Sequence, residues 1–432
     1  MSLSGNASTS MRRKRIDAEK LQDTAIVMMK HPLMRSCPIC ESSEGKVLHS
    51  QSFVLPDASP LPQCYDVIHC PVCGFCFADT VASQEEYTRY YRSLSKYEED
   101  VHLQMRDDTP DRKRYRNQAQ TLARLSESKQ ARILDVGCAR GGLLDELAKI
   151  GFSALTGLDP AENCIRHVRS LGIGAFQGDV FDLGGLRGQM FDIIILSGVL
   201  EHIKDIQQVP EIIADLLHPT GFCYIEVPNA ADYASHPIAP YYYFDCEHIN
   251  HFDDIALDNL FLRGGFQRAD SANSDYPMPH STYPSLYCIY RRGENAHPLP
   301  LRRTENIVRA VYDHLAWSET SPIETVLAPL AQSGAPLVVW GAGQMTMRLL
   351  ATTSLRNCNI LFFVDNDCVK HRSAISGLPV FPPESLRRHS GPILVASVHF
   401  ADDIIGEIRR AGFENQIVDL GRCGESAPTK YE

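Results

Sequence analysis

The sequence predicts an α/β chain with an N-terminal metal-binding module, a central Rossmann-like domain and a C-terminal Rossmann-like α/β domain. Three observations carry this reading. Two Cys-x-x-Cys knuckles stand at Cys37-Cys40 and Cys70-Cys73. An apolar strand from Ile133 runs into a glycine-rich bend at 137–142, and a second strand ends in a carboxylate at Asp159. A comparable strand and glycine turn recur from Leu337 to Gly343. Strand, glycine bend, helix and strand tipped by a carboxylate is the layout of nucleotide-binding α/β folds. The expected divisions are a mobile leader over 1–34, a metal module with a tyrosine-rich segment over 35–104, a central domain over 105–295 and a C-terminal domain over 296–432.

Composition narrows the functional classes. A chain of 432 residues with 44% hydrophobic residues has material for two to four ordinary cores. Its formal net charge is −11. Apart from Met11-Arg12-Arg13-Lys14-Arg15 there is no strong basic run, which argues against a nucleic-acid substrate, because phosphate binding needs Lys and Arg to displace counterions. No run of about 18 uncharged apolar residues predicts a membrane span. The N-terminus lacks the order of charge, apolar core and cleavage site of a signal peptide, so the expected location is cytoplasmic. Fourteen cysteines spread through so long a chain read as reduced thiols and metal ligands rather than a disulfide framework.

The leader is polar, with a short helix expected near Ala18 to Met29, and carries no assigned chemistry. The knuckles that follow are separated by 29 residues. Each presents two thiolates on a tight turn, so Cys37, Cys40, Cys70 and Cys73 would close a tetrahedral shell around Zn²⁺. Four protein ligands leave no open position, and the expected role is structural. Cys64 and Cys76 stand nearby, and His69 is an alternative ligand. A redox role for either knuckle is the competing reading. Tyr87, Tyr90, Tyr91 and Tyr97 then offer phenol donors beside flat apolar faces, suited to a sugar or ring-shaped ligand or to an interdomain contact.

In the central domain, glycines at 137, 141 and 142 let the backbone turn sharply and approach a ligand, while Asp159 at a strand tip can accept both hydroxyls of a ribose. The looser Gly137-x-x-x-Gly141 spacing after Asp135 favours a ligand with an amino-acid tail over one with a pyrophosphate. These residues resemble the first motif of class I S-adenosylmethionine (SAM) methyltransferases. Gly178-Asp179-Val180 is similar to that family's adenine-contacting turn. The segment from Phe191 to Ser197 is similar to its fourth strand. The resemblance implies SAM as cofactor, held by Asp135, Gly137, Cys138, Gly141, Asp159, Asp179, Val180 and Ser197.

The fourth strand leads into Gly198-Val199-Leu200-Glu201-His202, which puts His202 near the donor methyl as a general base or an acceptor-orienting group. Capping of the loop by Glu201 or His202 is the structural alternative. A fifth strand from Phe222 ends at Pro228, which cannot extend a central ladder. The insertion after it carries two histidines, three carboxyl or amide groups and five aromatics between Tyr241 and Phe252. Titratable groups held against apolar walls suit proton transfer, and the segment is expected to line the acceptor site. An aromatic interdomain seam is the other reading of the same residues.

A polar linker and helix are expected over 296–330, with a break at Gly334-Ala335-Pro336. The strand from Leu337 to Trp340, the turn Gly341-Ala342-Gly343 and a second strand near Leu361 to Val364 make a Rossmann-like unit. Thr346 stands where a third glycine would allow close helix packing. The unit is therefore expected to complete the acceptor pocket or an oligomer contact rather than bind a dinucleotide. A further buried strand is expected at Pro392 to Ser397.

Zinc module, SAM domain and C-terminal Rossmann-like domain in this order resemble the sugar C-methyltransferases that act on nucleotide-linked keto-deoxysugars. That resemblance implies zinc on Cys37, Cys40, Cys70 and Cys73, with Tyr91, His202, Glu247 and His248 as catalytic residues. It further implies that His248, assisted by Glu247, or else His202, removes the proton beside a ketone, with Tyr91 or Tyr243 stabilising the enolate oxygen. The chain departs from that family at His251-Phe252, where Tyr-Phe is usual, and in its C-terminal glycine motif. The expected partner is a small-molecule acceptor, such as a nucleotide-linked sugar, with no nucleic acid and no membrane. Three readings compete: an O- or N-methyltransferase of another small metabolite, a zinc-ribbon RNA methyltransferase, and a non-catalytic SAM-fold interaction protein. Acceptor and oligomeric state are not fixed by the sequence.

Overall fold

Runs of β-branched and aromatic residues fold into four sheets in the computed structural model, which describes residues 33–93, 110–278, 281–293 and 300–421. The basic leader, its expected helix at 18–29 and Tyr97 lie outside the described residues.

Strands β1 (Lys46–Ser52), β2 (Cys64–His69) and β3 (Cys76–Asp79) form an antiparallel sheet beside the cysteine knuckles. The central sheet contains β4 (Ile133–Val136), β5 (Leu155–Asp159), β6 (Gly174–Gln177), β7 (Phe191–Ser197) and β8 (Leu217–Pro228), all parallel, in the order β6-β5-β4-β7-β8. These strands read as nearly continuous apolar runs because both faces are covered. Leu134, Val136, Ile194 and Leu196 enter one core, and Ile133, Ile193 and Ile195 enter the core on the opposite face. Leu143, Leu144 and Leu147, on the helix Gly142–Lys149, close that second core. Each such side chain contributes roughly 1.5–3 kcal/mol on burial.

The insertion after β8 crosses back to the first sheet. There β9 (Asn250–His251) pairs antiparallel with β3, placing His251 opposite Cys76 and Asn250 opposite Phe77. The buried Arg35 fastens this junction, donating to Asn250 Oδ1 at 3.0 Å and to the backbone oxygen of Lys204. Beyond it, β10 (Phe266–Asn273), the hairpin β11 (Tyr276–Met278) and β12 (Ser281–Tyr283), and β13 (Ser285–Arg292) follow; β13 and β10 extend the central sheet antiparallel to β8. Pro228 sits where this pairing ends, opposite Ser285.

The helix Asn306–Glu319 buries Ile307, Val311 and Leu315 in the core shared by the first sheet and the insertion. The last sheet holds β14 (Leu337–Trp340), β15 (Ile360–Val364), β16 (Ala374–Ile375), β17 (Leu378–Phe381), β18 (Ile393–Val395) and β19 (Ile417–Asp419). Its order is β16-β17-β15-β14-β18-β19, parallel except for the β16–β17 pair. Along β14 the side chains alternate between two cores, Leu337 and Val339 on one face and Val338 and Trp340 on the other. The Val54 amide donates to the Met347 carbonyl at 2.8 Å, tying the N-terminal segment to the helix after β14. Among the described residues no helix is long and apolar enough to cross a membrane.

Candidate active site

The carboxyl ends of β4, β5 and β7 meet at one edge of the central sheet, where open α/β folds bind ligands. After β4 the chain turns through Gly137 at φ +75° and Gly141 at φ +74°. A Cβ on Gly137 would fall 2.7 Å from a methyl of Val199, and one on Gly141 would fall 2.8 Å from a methyl of Val168, so only glycine fits either place. Between them Ala139 adopts φ +45°, a left-handed conformation that costs a side chain about 1–2 kcal/mol. Its amide donates to Asp159 Oδ2 at 2.8 Å, and the Ala161 amide donates to Oδ1 at 2.9 Å. The carboxylate at the tip of β5 is thereby aimed before any ligand arrives. Asp135 is 4% exposed, and burial with the nearby Asp159 charge raises its carboxyl to about 8. Cys138 and Val180 are buried at the same strand ends.

Two further expected cofactor contacts also have protein partners. Asp179 Oδ1 accepts from the Phe181 and Asp182 amides, and Oδ2 accepts from the Thr88 hydroxyl at 3.0 Å. The Ser197 hydroxyl accepts from Arg114 Nη2 at 3.0 Å and Gln118 Nε2 at 2.8 Å. Those two residues also donate to the fully buried Glu226, at 3.3 and 2.6 Å, and Tyr224 donates to it at 2.5 Å. This network under the crevice was not foreseen. The helix Pro110–Leu125 has the composition of a solvated surface helix, and only the buried glutamate inside the apolar β8 run signals that it needs cationic and amide donors.

The expected catalytic residues converge beside this edge. His202 closes a short 3₁₀ turn, Leu200–His202, directly after β7. Its Nδ1 lies 2.9 Å from the Tyr91 hydroxyl and 3.1 Å from the Glu247 backbone carbonyl. A carbonyl only accepts, so Nδ1 carries the proton and Nε2 is left as the basic nitrogen. Glu201 Oε1 stands 3.9 Å from that Nε2. Burial holds His202 below its ordinary value against the pull of the Glu201 carboxylate, and burial raises Glu201 itself. The Glu247 side chain accepts from Tyr90 at 3.0 Å, Tyr91 at 3.1 Å and Gln344 at 3.2 Å. The rings of His202 and His248 are 4.7 Å apart.

Two expectations need correction. Glu247 is bound to the tyrosines and Gln344, and the carboxylate beside His248 is that of Asp245, 3.6 Å from His248 Nδ1. The turn 245–248 brings this about, since Asp245 Oδ1 accepts the Glu247 and His248 amides. Tyr243 is fully buried, stacked on Tyr233 at 3.8 Å, and donates to the His236 carbonyl at 2.6 Å, so its hydroxyl proton is already committed. Tyr90 and Gln344 join Tyr91 as donors to Glu247. Tyr90 belongs to the tyrosine-rich segment, whereas nothing in the sequence marks Gln344 except its place directly after the C-terminal glycine turn.

The four knuckle sulfurs gather at one point: Cys37 Sγ is 3.5 Å from Cys73 Sγ, and Cys40 Sγ is 3.4 Å from Cys70 Sγ. Cys64, Cys76 and His69 stand outside this set. Four clustered thiols in a largely buried pocket, with S–S bonds absent among the described residues, are the donor set of a closed zinc site.

Residues 111–269 match the model of a methyltransferase domain. No curated protein matches the chain. Among solved structures, it is similar to the Burkholderia thailandensis 1,6-didemethyltoxoflavin-N1-methyltransferase with bound 1,6-didemethyltoxoflavin and S-adenosylhomocysteine, at 18% identity and TM-score 0.38, over 54% of this chain and 96% of that one. It is similar also to the magnesium protoporphyrin IX methyltransferase of Synechocystis PCC 6803, at 15% identity and TM-score 0.35, over 50% of this chain and 100% of the other. The N-methyltransferase NodS of Bradyrhizobium japonicum WM9 matches at 20% identity and TM-score 0.34, over 44% and 99% of the two chains.

Proposed function

We propose that this SAM-dependent methyltransferase methylates carbon, on a nucleotide-linked keto-deoxysugar or a similar small keto metabolite, through a base-generated enolate. The observation that carries the proposal is the position of His202, with its Nδ1 proton committed and Nε2 left basic at the end of β7. Methylation of a weakly acidic carbon requires a base to take its proton, and Nε2 of His202 is a base at this edge.

The crevice fits SAM. The left-handed bend at Gly137 and Gly141 and the amide-held Asp159 at the tip of β5 support a ligand site at these strand ends, with the carboxylate available to a ribose. Buried carboxyl groups at Asp135 and Glu201 suit a ligand carrying positive charge. When bound, SAM would supply an electrophilic sulfonium methyl and leave as the neutral thioether. His202 Nε2 takes the proton from the carbon beside the ketone, and the released electron pair delocalises onto the ketone oxygen. His248, whose ring lies 4.7 Å from that of His202, is the donor we assign to that oxygen, because the Tyr91 hydroxyl proton is committed to Glu247. Glu201 steadies the imidazolium formed, and the proton then passes to solvent. Cys37, Cys40, Cys70 and Cys73 hold a structural zinc ion outside the chemistry.

The test is mass spectrometry of a panel of nucleotide-linked keto-deoxysugars incubated with zinc-loaded protein and SAM, with fragmentation to locate the added methyl. A methyl on carbon, accompanied by solvent deuterium exchange at that carbon without SAM, is expected. A methyl on oxygen or nitrogen would overturn the enolate scheme.

A further inference from the structure

The C-terminal sheet carries a glycine turn of nucleotide-binding type, whose polar groups pair with one another and with the end of the next strand. The Ala342 amide donates to Asp365 Oδ2 at 2.8 Å, and Lys370 Nζ reaches the same oxygen at 2.9 Å. The buried Thr346 hydroxyl donates to the Gly341 carbonyl. The side chain that leaves this turn is Gln344, the first residue of the helix Gln344–Thr352. Its Nε2 lies 3.2 Å from Glu247 Oε1 and 3.0 Å from Cys246 Sγ.

We propose that Gln344 is a positioning residue for methyl transfer, by which the C-terminal domain holds Glu247 and, through the Glu247 backbone, fixes the ring of His202. The proposal rests on the reading of His202 as the base.

Glu247 is held by donors from two distant parts of the chain. Tyr90 and Tyr91 come from the helix Gln84–Ser93, and Gln344 comes from the C-terminal sheet. Its carbonyl in turn selects the His202 tautomer. Displacing Glu247 would therefore misplace both the Tyr91 hydroxyl and the His202 ring. One turn further along the same helix, Arg348 donates to the Tyr241 carbonyl at 3.3 Å and lies over the Tyr241 ring, so the helix grips the insertion at two points. The choice of an amide at 344 has a local cost, because Gln344 Oε1 is buried with no hydrogen-bond partner among the described residues. Packing alone would be served better by an apolar side chain; an amide is required only by the carboxylate.

The experiment compares wild type, Gln344→Met, Glu247→Ala and the double variant. Met keeps the length and loses the donor. In calorimetric melting, which requires no acceptor, the double variant is expected to melt where Glu247→Ala melts, since the contact is already lost in the single variant. Additive losses would overturn the contact. With the keto-sugar acceptor, Gln344→Met is expected to lower kcat about tenfold, while the SAM Kd and the acceptor KM stay within about twofold, as befits a group acting through the transition state. Unchanged kcat, or a rise confined to KM, would overturn the positioning role. If wild type turns over no keto-sugar, the acceptor reading fails, and the melting cycle still decides whether Gln344 holds Glu247.

Discussion

The Tyr91 hydroxyl lies 2.9 Å from His202 Nδ1 and 3.1 Å from Glu247 Oε2. Tyr91 therefore donates to the carboxylate and receives the imidazole proton, a one-way chain that ends with a bare Nε2. Tyr91→Phe is expected to lower kcat about tenfold and leave the SAM Kd unchanged, because the Glu247 carbonyl still holds the tautomer. His202→Gln, which cannot take a proton, is expected to lower kcat by about 10²–10⁴. Steady-state kinetics on the identified acceptor check both. If His202→Gln and His248→Ala together leave turnover near wild type, the base is elsewhere.

Asp135 makes SAM binding pH-dependent. Burial first, and Asp159 second, raise its carboxyl to about 8, so at pH 7 the unliganded site holds a proton. A cationic ligand favours the carboxylate and expels that proton. Affinity for SAM is expected to rise by up to about tenfold per pH unit between pH 6 and 8, and then to level. Asp135→Asn removes this component and leaves whatever the ligand's own amine contributes. The sign for stability is opposite: the unfolded carboxyl ionises freely above about pH 4, so the folded protein is penalised increasingly from there to about pH 8, and by a constant amount above it. Unliganded Asp135→Asn is expected to melt higher than wild type at pH 7, with weaker SAM binding. Calorimetric titration at several pH values checks the first half, and thermal melting the second.

The parts of this fold that depend on local chemistry are readable from the sequence, and the parts that depend on distant partners are not. Gly137 and Gly141 announce their bend because no other residue fits the backbone, and the knuckle cysteines announce their cluster because thiolates pair by spacing. His202 and Glu247 stand out as titratable groups beside apolar runs. The pairing of Asn250 with Phe77 has no such signature, since a two-residue strand shows no periodicity. Arg114 and Gln118 look solvated until Glu226 is found beneath them. Gln344 is uncharged and local pattern gives it no role, so its reach to Glu247 appears only once the C-terminal sheet is placed.

The pairing of β9 with β3 joins the segment after the cysteine cluster to the segment that follows His248. Cys76, opposite His251, follows Cys73 by three residues, and Asn250 and His251 follow His248. Loss of metal order in the knuckle would loosen β3 and then the turn 245–248. Cys70→Ser, or removal of zinc with a strong chelator, is expected to lower the melting temperature and the kcat together, although no cysteine of the cluster touches the acceptor. Readdition of zinc restores both for the chelated protein but not for the variant. Metal stoichiometry followed beside activity checks this, and an active, fully stripped protein would sink it.

Buried histidines, His251 and His314 among them, weaken the fold in acid. Burial brings His251 down to about 3 and His314 down to about 4. His314 lies among the rings of Tyr233, Tyr243, Phe244 and Trp317, with the Arg348 charge also opposing its protonation. His251 faces Tyr233 and Phe244, with His248 and His314 opposing its charge and Asp245 favouring it. Above about pH 6.5 both rings are neutral whether the chain is folded or not, and neither changes stability with pH. Below that, each of these two rings binds a proton in the unfolded chain that it refuses in the folded one. Each ring then contributes a loss of up to about 1.4 kcal/mol per pH unit, until its own folded value is reached near pH 4 for His314 and pH 3 for His251. His314→Phe fills an aromatic site with an aromatic ring and removes one of the two titrations. Its melting temperature is expected to fall less steeply than that of wild type between pH 6.5 and 5, a difference that denaturation across that range would measure directly; parallel curves would show that His314 titrates normally in the folded protein.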